Sequence, residues 1–124
     1  MKPNHDELRE VTGHTDPLTG AHELQRRGAR AVVVSRGEDG MLLLGADGTV
    51  RTARTREPLH GNPTGAGDAA VAALAAGLGE GLDTSRLLRR AVAWSAAAVI
   101  RPVAGEIDVA LAERLMHDLI EGDA

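Results

Sequence analysis

The segment Gly61-Asn62-Pro63-Thr64-Gly65-Ala66-Gly67-Asp68 concentrates residue types that can handle an anion and a proton together. Gly65, Ala66 and Gly67 carry little or no side chain and open a long apolar stretch of helical composition. Free backbone N–H groups at such a helix start form a concave anion site at the positive end of the helix dipole. Asp68 falls in the first turn, where that dipole favours the carboxylate. Donors for a multiply charged anion beside a carboxylate suit phosphoryl transfer to an alcohol. The donors stabilise charge on the transferring group, and the carboxylate accepts the hydroxyl proton. The same residues also make an ordinary capped helix start with Asp68 as a first-turn acid. Two other glycine-loop chemistries fit less well. A Walker-type phosphate loop needs Lys-Ser/Thr after its last glycine, and none is present. Gly65-x-Gly67-x-x-Ala70 matches dinucleotide spacing, but that motif follows a strand and its helix leads to another strand, whereas helices follow here.

The elements that must position this turn can be read from periodicity and caps. Asn4-His5-Asp6-Glu7 opens a short helix with Leu8 and Val11 as apolar positions and Gly13 past its end. Asp16 suits an N-cap and Pro17 the first position of a second helix, which is expected to run to about Gly28. Ala31-Val32-Val33-Val34 is a continuous β-branched run and predicts a strand buried on both faces, with neighbours on both edges. Met41-Leu42-Leu43-Leu44 predicts a second strand, Ala46-Asp47-Gly48 a hairpin turn, and Thr49 to Thr55 a more exposed partner strand. A further strand is expected through Pro58-Leu59-His60. Ala69 to Leu78 is apolar almost all round, which predicts a buried helix ended by Gly79 and Gly81. Thr84 or Ser85 is expected to cap the next helix, which reaches about Ile100 before Pro102. Asp108 is expected to cap a last helix carrying Leu111, Leu115 and Leu119 in step. The predicted order is two short helices, three or four strands, then three helices, an α/β arrangement that reads as the later part of a larger domain.

Composition narrows the classes. The chain has 124 residues, 43% of them apolar, but only one Trp and no Phe or Tyr, so Ala, Val and Leu must fill its core. Fourteen Lys and Arg against eighteen Asp and Glu leave a formal charge of −4, which argues against a nucleic-acid partner. One aromatic residue leaves little for base stacking. No Cys means no disulfide framework and no thiolate zinc site. His5, His14, His22, His60 and His117 show no metal-ligand spacing, and Arg86, Arg89 and Arg90 read as a solvated face. No apolar run reaches about 18 residues, so no membrane span is expected, and no signal-peptide pattern opens the chain. The expectation is a soluble, cytoplasmic protein.

Four segments, in order and spacing, resemble those of the PfkB carbohydrate kinases of the ribokinase-like fold. Thr64-Gly65-Ala66-Gly67-Asp68-Ala69 looks like the family's second signature. Lys2-Pro3-Asn4-His5-Asp6-Glu7-Leu8 is similar to its KPN and NxxE stretch, and Val34-Ser35-Arg36-Gly37-Glu38-Asp39-Gly40 to its S-x-G-x-x-G nucleotide turn. Arg101-Pro102-Val103-Ala104-Gly105-Glu106 resembles its late proline-glycine loop. The phosphofructokinase and tagatose-6-phosphate kinase branch looks nearest, ahead of the ribokinase-type sugar kinases. The resemblance implies the C-terminal part of a three-layer α/β/α sandwich, with ATP and Mg2+ as cofactors and a sugar or sugar phosphate as acceptor. It implies Asp68 as catalytic base, and Gly65, Ala66 and Gly67 as the anion hole. Lys2, Ser35, Gly37 and Gly40 would bind the nucleotide, and Asn4 and Glu7 would act on Mg2+ through water. Asn4 and Glu7 also have the spacing of a capping box, the commoner use of that pattern.

Family members carry a long N-terminal half with most sugar contacts, a lid sheet and a first glycine signature, and this sequence does not contain it. Residues 1–124 are therefore expected to form a single partial kinase domain. It would act as a homo-oligomer or be completed by the N-terminal half, and would not phosphorylate a sugar alone. The alternative is a truncated nucleotide-binding or interaction fragment without turnover of its own.

Overall fold

In the computed structural model, which describes residues 2–56, 66–100 and 109–122, the chain begins with two helices set by local caps. Helix α1 spans His5–Thr12 and α2 spans Pro17–Arg26. Asn4 and Glu7 form a reciprocal capping box: the Glu7 N–H donates to Asn4 Oδ1 at 2.8 Å and the Asn4 N–H to Glu7 Oε1 at 3.2 Å. Gly13 closes α1 in the left-handed region at φ 75°. Asp16 accepts from the Thr19 N–H at 2.9 Å, and Pro17 takes the first helical position. Helix α2 stops at Arg26, two residues short of the expected Gly28, which lies beyond it at φ 114°.

Strand β1 (Val32–Ser35) leads through a 3-10 turn at Gly37–Asp39 into β2 (Met41–Leu44), and a tight hairpin leads on to β3 (Val50–Thr55). The hairpin is closed by Gly45 N–H donating to Thr49 O at 2.8 Å and by Thr49 N–H donating to Asp47 Oδ1 at 2.9 Å. Helix α3 spans Ala66–Glu80, α4 Thr84–Ile100 and α5 Val109–Met116, and the described chain ends with β4 (Leu119–Gly122). The sheet order is β1-β2-β3-β4, antiparallel throughout.

The sheet is the middle of three layers. Val32, Val34 and Leu44 face α1 and α2, where they meet Leu8, Ala21 and Leu24. Val33, Met41, Leu43 and Ala53 face α3 and α4, where they meet Ala70, Ala73, Leu88, Ala91 and Val92. Strict alternation along β1 thus fills two cores, as its unbroken Val run predicts. Each fully buried Val or Leu contributes roughly 1.5–3 kcal/mol relative to exposure. Small residues let the helices approach closely. A Cβ at Gly20 would lie 2.8 Å from Leu8, and one at Gly77 would lie 2.5 Å from Leu87 Cδ2.

Four expectations need correction. Leu119 does not continue the last helix: tight turns at His117 and Asp118 end it, and Leu119–Gly122 pairs with β3 instead. The cap of α4 is Asp83, whose Oδ1 accepts from the Arg86 N–H at 2.9 Å, rather than Thr84 or Ser85. Helix α3 buries Ala69, Ala70, Ala73 and Gly77 but leaves Val71 and Leu78 exposed, so it is not enclosed on all sides. Among the described residues β1 is an edge strand, with one isolated parallel bridge, Asn4 to Ser35, on its outer side. The strand expected at Pro58-Leu59-His60, the Asp108 cap and the loop at Arg101–Glu106 lie outside the described residues. Among those described, no helix is long and apolar enough to cross a membrane.

Candidate functional site

One cleft of about 580 Å³ opens at the end of the sheet where β1 turns into β2, a size typical of small-molecule sites. Three stretches remote in sequence converge on it. The first is the entry to α1, which brings Lys2, Asn4 and Glu7. The Asn4–Ser35 bridge holds this stretch against β1, and the Ser35 N–H donates to Pro3 O at 3.2 Å. The second is the turn carrying Ser35, Gly37 and Gly40. Three bonds stiffen it: the Arg36 N–H to Gly40 O at 2.8 Å, the Gly40 N–H to Gly37 O at 3.1 Å and the Asp39 N–H to Arg36 O at 3.2 Å. Gly40 sits at φ 77° directly on β3, where a Cβ would lie 2.0 Å from Ala53 O. Only glycine allows the turn to close against the sheet there.

The third stretch is the start of α3, with Ala66 and Gly67 at the cleft wall. A Cβ on Gly67 would lie 3.9 Å from Lys2 Nζ, so a cationic side chain faces the exposed N–H groups of that helix start. Together they form a strongly anion-attracting corner. Gly67 is helical and not in the left-handed region, so closeness to a ligand, and not backbone conformation, is what a glycine offers there. Asp68 follows in the first turn of α3 and is exposed, outside the residues that line the cleft. Gly65 lies outside the described residues.

The sequence-predicted residues that the structure gathers are therefore Lys2, Asn4, Glu7, Ser35, Gly37, Gly40, Ala66 and Gly67. The capping box engages Asn4 Oδ1 and Glu7 Oε1 and does not use Asn4 Nδ2 or Glu7 Oε2. One carboxylate and one amide are too few to cage a dehydrated cation. They fit Mg2+, which keeps several waters and takes phosphate oxygens as its remaining ligands. Among the described residues no group of three or more His, Cys, Asp or Glu could hold a metal by itself.

Sequence reasoning missed the opposite wall. Val92, Ser95, Ala96 and Val99 of α4, with Met41 of β2 and Thr55 of β3, make that side of the cleft largely apolar. Positions 92, 95, 96 and 99 recur with the helical period and form one stripe. That spacing is present in the sequence, but a core-facing stripe has the same composition.

Comparison with known proteins agrees with this geometry. Residues 1–109 match the model of the pfkB family of carbohydrate kinases. The chain is 31% identical to a 1-phosphofructokinase of Haemophilus influenzae, over 98% of this chain and 42% of that protein. It is 39% identical to a 1-phosphofructokinase of Xanthomonas campestris, over 77% of this chain and 31% of that protein. The crystal structure of Escherichia coli phosphofructokinase-2 in complex with substrates and products superposes with a TM-score of 0.84 at 25% identity, covering 94% of this chain and 39% of that one. The chain thus spans about two fifths of the length of the first of these relatives. Its matching family model, its relatives and its fold place this chain in the pfkB family of carbohydrate kinases.

Proposed function

We propose that this chain is the nucleotide-binding and catalytic portion of a kinase that transfers the γ-phosphoryl group of ATP to a hydroxyl of a sugar or sugar phosphate, in the manner of a 1-phosphofructokinase. One observation carries the reading: Lys2, Asn4 and Glu7, the Ser35–Gly40 turn and the Ala66–Gly67 helix start meet at one cleft. The cleft's two sides differ as a nucleotide's two ends do. The apolar α4 wall suits a base, and the Lys2–Gly67 corner suits phosphates.

Asp68, next to Gly67 in the first turn of α3, then acts as the base. The acceptor hydroxyl gives its proton to the Asp68 carboxylate as its oxygen bonds to the γ-phosphorus, and the bond from that phosphorus to the ADP oxygen breaks. The N–H groups of Gly65, Ala66 and Gly67 stabilise the charge on the transferring group. Asn4 and Glu7 would hold Mg2+ through water, and the ion would neutralise charge on the β- and γ-phosphates. Residues 1–124 act as one partial domain, and orientation of the acceptor falls to surfaces outside this chain or in another copy.

Calorimetry of the chain with Mg-ATP tests the cleft directly. Weak binding is expected, with Gly67→Val abolishing it in a folded variant, because the branched side chain enters the space between the helix start and Lys2. Unchanged affinity in that variant would refute the anion corner. In protein that turns over sugar phosphate, Asp68→Asn should lower turnover roughly 10²–10⁴-fold with little change in ATP affinity. A chain that binds Mg-ATP but has no sugar-dependent ADP release under any condition would favour a nucleotide-binding fragment.

A further inference from the structure

The turn between β1 and β2 carries a strut made from one of its own side chains. Arg36, between Ser35 and Gly37, fills a position that the S-x-G-x-x-G pattern leaves open. It is half-buried, and its guanidinium folds back over the turn, where Nη2 donates to Asp39 O at 2.9 Å. Arg36 Nε is shut away from water and has no partner among the described residues. Arg36 does not line the cleft, whereas its neighbours Ser35 and Gly37, and Gly40, do. Backbone bonds complete the closure. Arg36 O accepts from the Asp39 N–H, Gly37 O from the Gly40 N–H and Gly40 O from the Arg36 N–H. With Asp39 O taken by the guanidinium, these bonds leave the Gly37 N–H unused at the cleft.

We propose that Arg36 is a positioning residue for the nucleotide, holding the Ser35–Gly40 turn in the shape it presents to the cleft. This role rests on the nucleotide reading of the cleft. The turn needs such a tie because Gly37 and Gly40, both at positive φ, give it a backbone with much freedom to lose. The guanidinium spans from residue 36 to residue 39 and so encloses Gly37 in a second ring beside the backbone one. A charged donor makes the stronger kind of hydrogen bond, and the planar fork of arginine keeps its direction better than an ammonium does. With Nε enclosed, water does not compete for that end of the group. The turn is ordered before any ligand arrives, so a nucleotide meets the Gly37 N–H and Ser35 without a further ordering cost. Arg36 also brings a positive charge to a turn that carries the exposed Asp39 carboxylate, so charge and geometry must be separated by the test.

The test is calorimetry with Mg-ATP on the full chain and on its Arg36→Met and Arg36→Lys variants, beside amide exchange and thermal circular dichroism. Arg36→Met keeps the stem and loses the donors, and it should weaken Mg-ATP binding roughly five- to thirtyfold. In the ligand-free variant, exchange of the Asp39 and Gly40 amides should quicken at least about threefold. Its Tm should fall by no more than about 4 °C, because the turn lies outside both cores. Arg36→Lys restores the charge and not the fork, so it should recover the affinity only in part. Where Arg36→Met shows no cooperative transition, Arg36→Gln takes its place with the same expectations. Complete rescue by Arg36→Lys, or a loss of affinity with no change in amide exchange, would make Arg36 a charge acting at a distance and overturn the proposal. An unaltered chain that binds no Mg-ATP overturns the nucleotide reading of the cleft, and this role with it. Equal affinity in the unaltered chain and Arg36→Met overturns this role alone.

Discussion

Replacing Gly40 by alanine should destabilise this protein far more than the same change at Gly37, although both glycines lie in one turn and both have positive φ. Gly37 sits at φ 61°, and a methyl group added there would find no atom within 4 Å, so alanine meets only the left-handed penalty, about 1–2 kcal/mol. Gly40 sits at φ 77°, ψ −136°, a region that residues with a Cβ avoid. Its new methyl would also lie 2.0 Å from Ala53 O, 2.6 Å from Arg54 Cβ and 2.7 Å from Arg54 Cα. Two of those atoms are backbone of β3, which is paired on both sides by β2 and β4 and cannot step aside cheaply. Backbone strain of about 1–3 kcal/mol and overpacking of about 1–3 kcal/mol together give roughly 2–6 kcal/mol. In a domain of this size about 1 kcal/mol moves Tm by roughly 4 °C. Gly40→Ala should therefore lower Tm by roughly 8–24 °C, and Gly37→Ala by roughly 4–8 °C. Thermal circular dichroism on the two variants decides it, and loss of any cooperative transition in Gly40→Ala is the extreme of the same result. A Gly40→Ala Tm equal to or above that of Gly37→Ala would show that the turn does not rest on β3 as described.

The remaining expectations concern a cap and a helix contact. The Thr19 N–H, and then the Thr19 hydroxyl, hold the Asp16 carboxyl below its ordinary value. Its folded pKa is depressed, so its stabilisation is present above the unfolded value near 4 and is lost as pH falls through the folded one. Asp16→Ala should thus cost about 0.5–1 kcal/mol at pH 7, at the low end for an exposed cap, and less in acid once the carboxyl is protonated, as measured by urea unfolding in both conditions. Gly77→Val should cost about 1–3 kcal/mol by crowding Leu87, and less in a Leu87→Ala background; an equal cost in both would place the strain elsewhere.

What can be read from the sequence follows the range of the forces involved. The caps of α1 and α2 depend on partners three residues away, so Asn4-x-x-Glu7 and Asp16-Pro17 announce them. The β1–β2–β3 meander follows from apolar runs and one hairpin turn. Strand β4 leaves no such local mark because its cause is remote: the edge of β3 recruits Leu119, opposite Thr55, while the spacing of Leu115 and Leu119 suits a helix equally well. Helix α3 misleads for a different reason. Its composition is that of an enclosed helix, and the described structure encloses one side of it.

The site divides along the same line. Gly37, Gly40, Gly67 and Ser35 can be found because a tight turn and a close backbone approach leave a pattern of small residues with its own spacing. Val92, Ala96 and Val99 cannot, because a helix stripe that borders a cleft has the same composition as one that only fills a core, and Val92 belongs to both. Asn4 and Glu7 show how a structural and a functional use coexist in one pair. Each spends one oxygen on the cap of α1, and both residues line the cleft. The cap holds both side chains in place before any ligand arrives, so the entropy of positioning them is met by folding and not by binding. A capping box that lines a cleft is therefore preorganised for any ligand that enters there, and its sequence pattern is ambiguous because the cap and the proposed ligand contact need the same two residues.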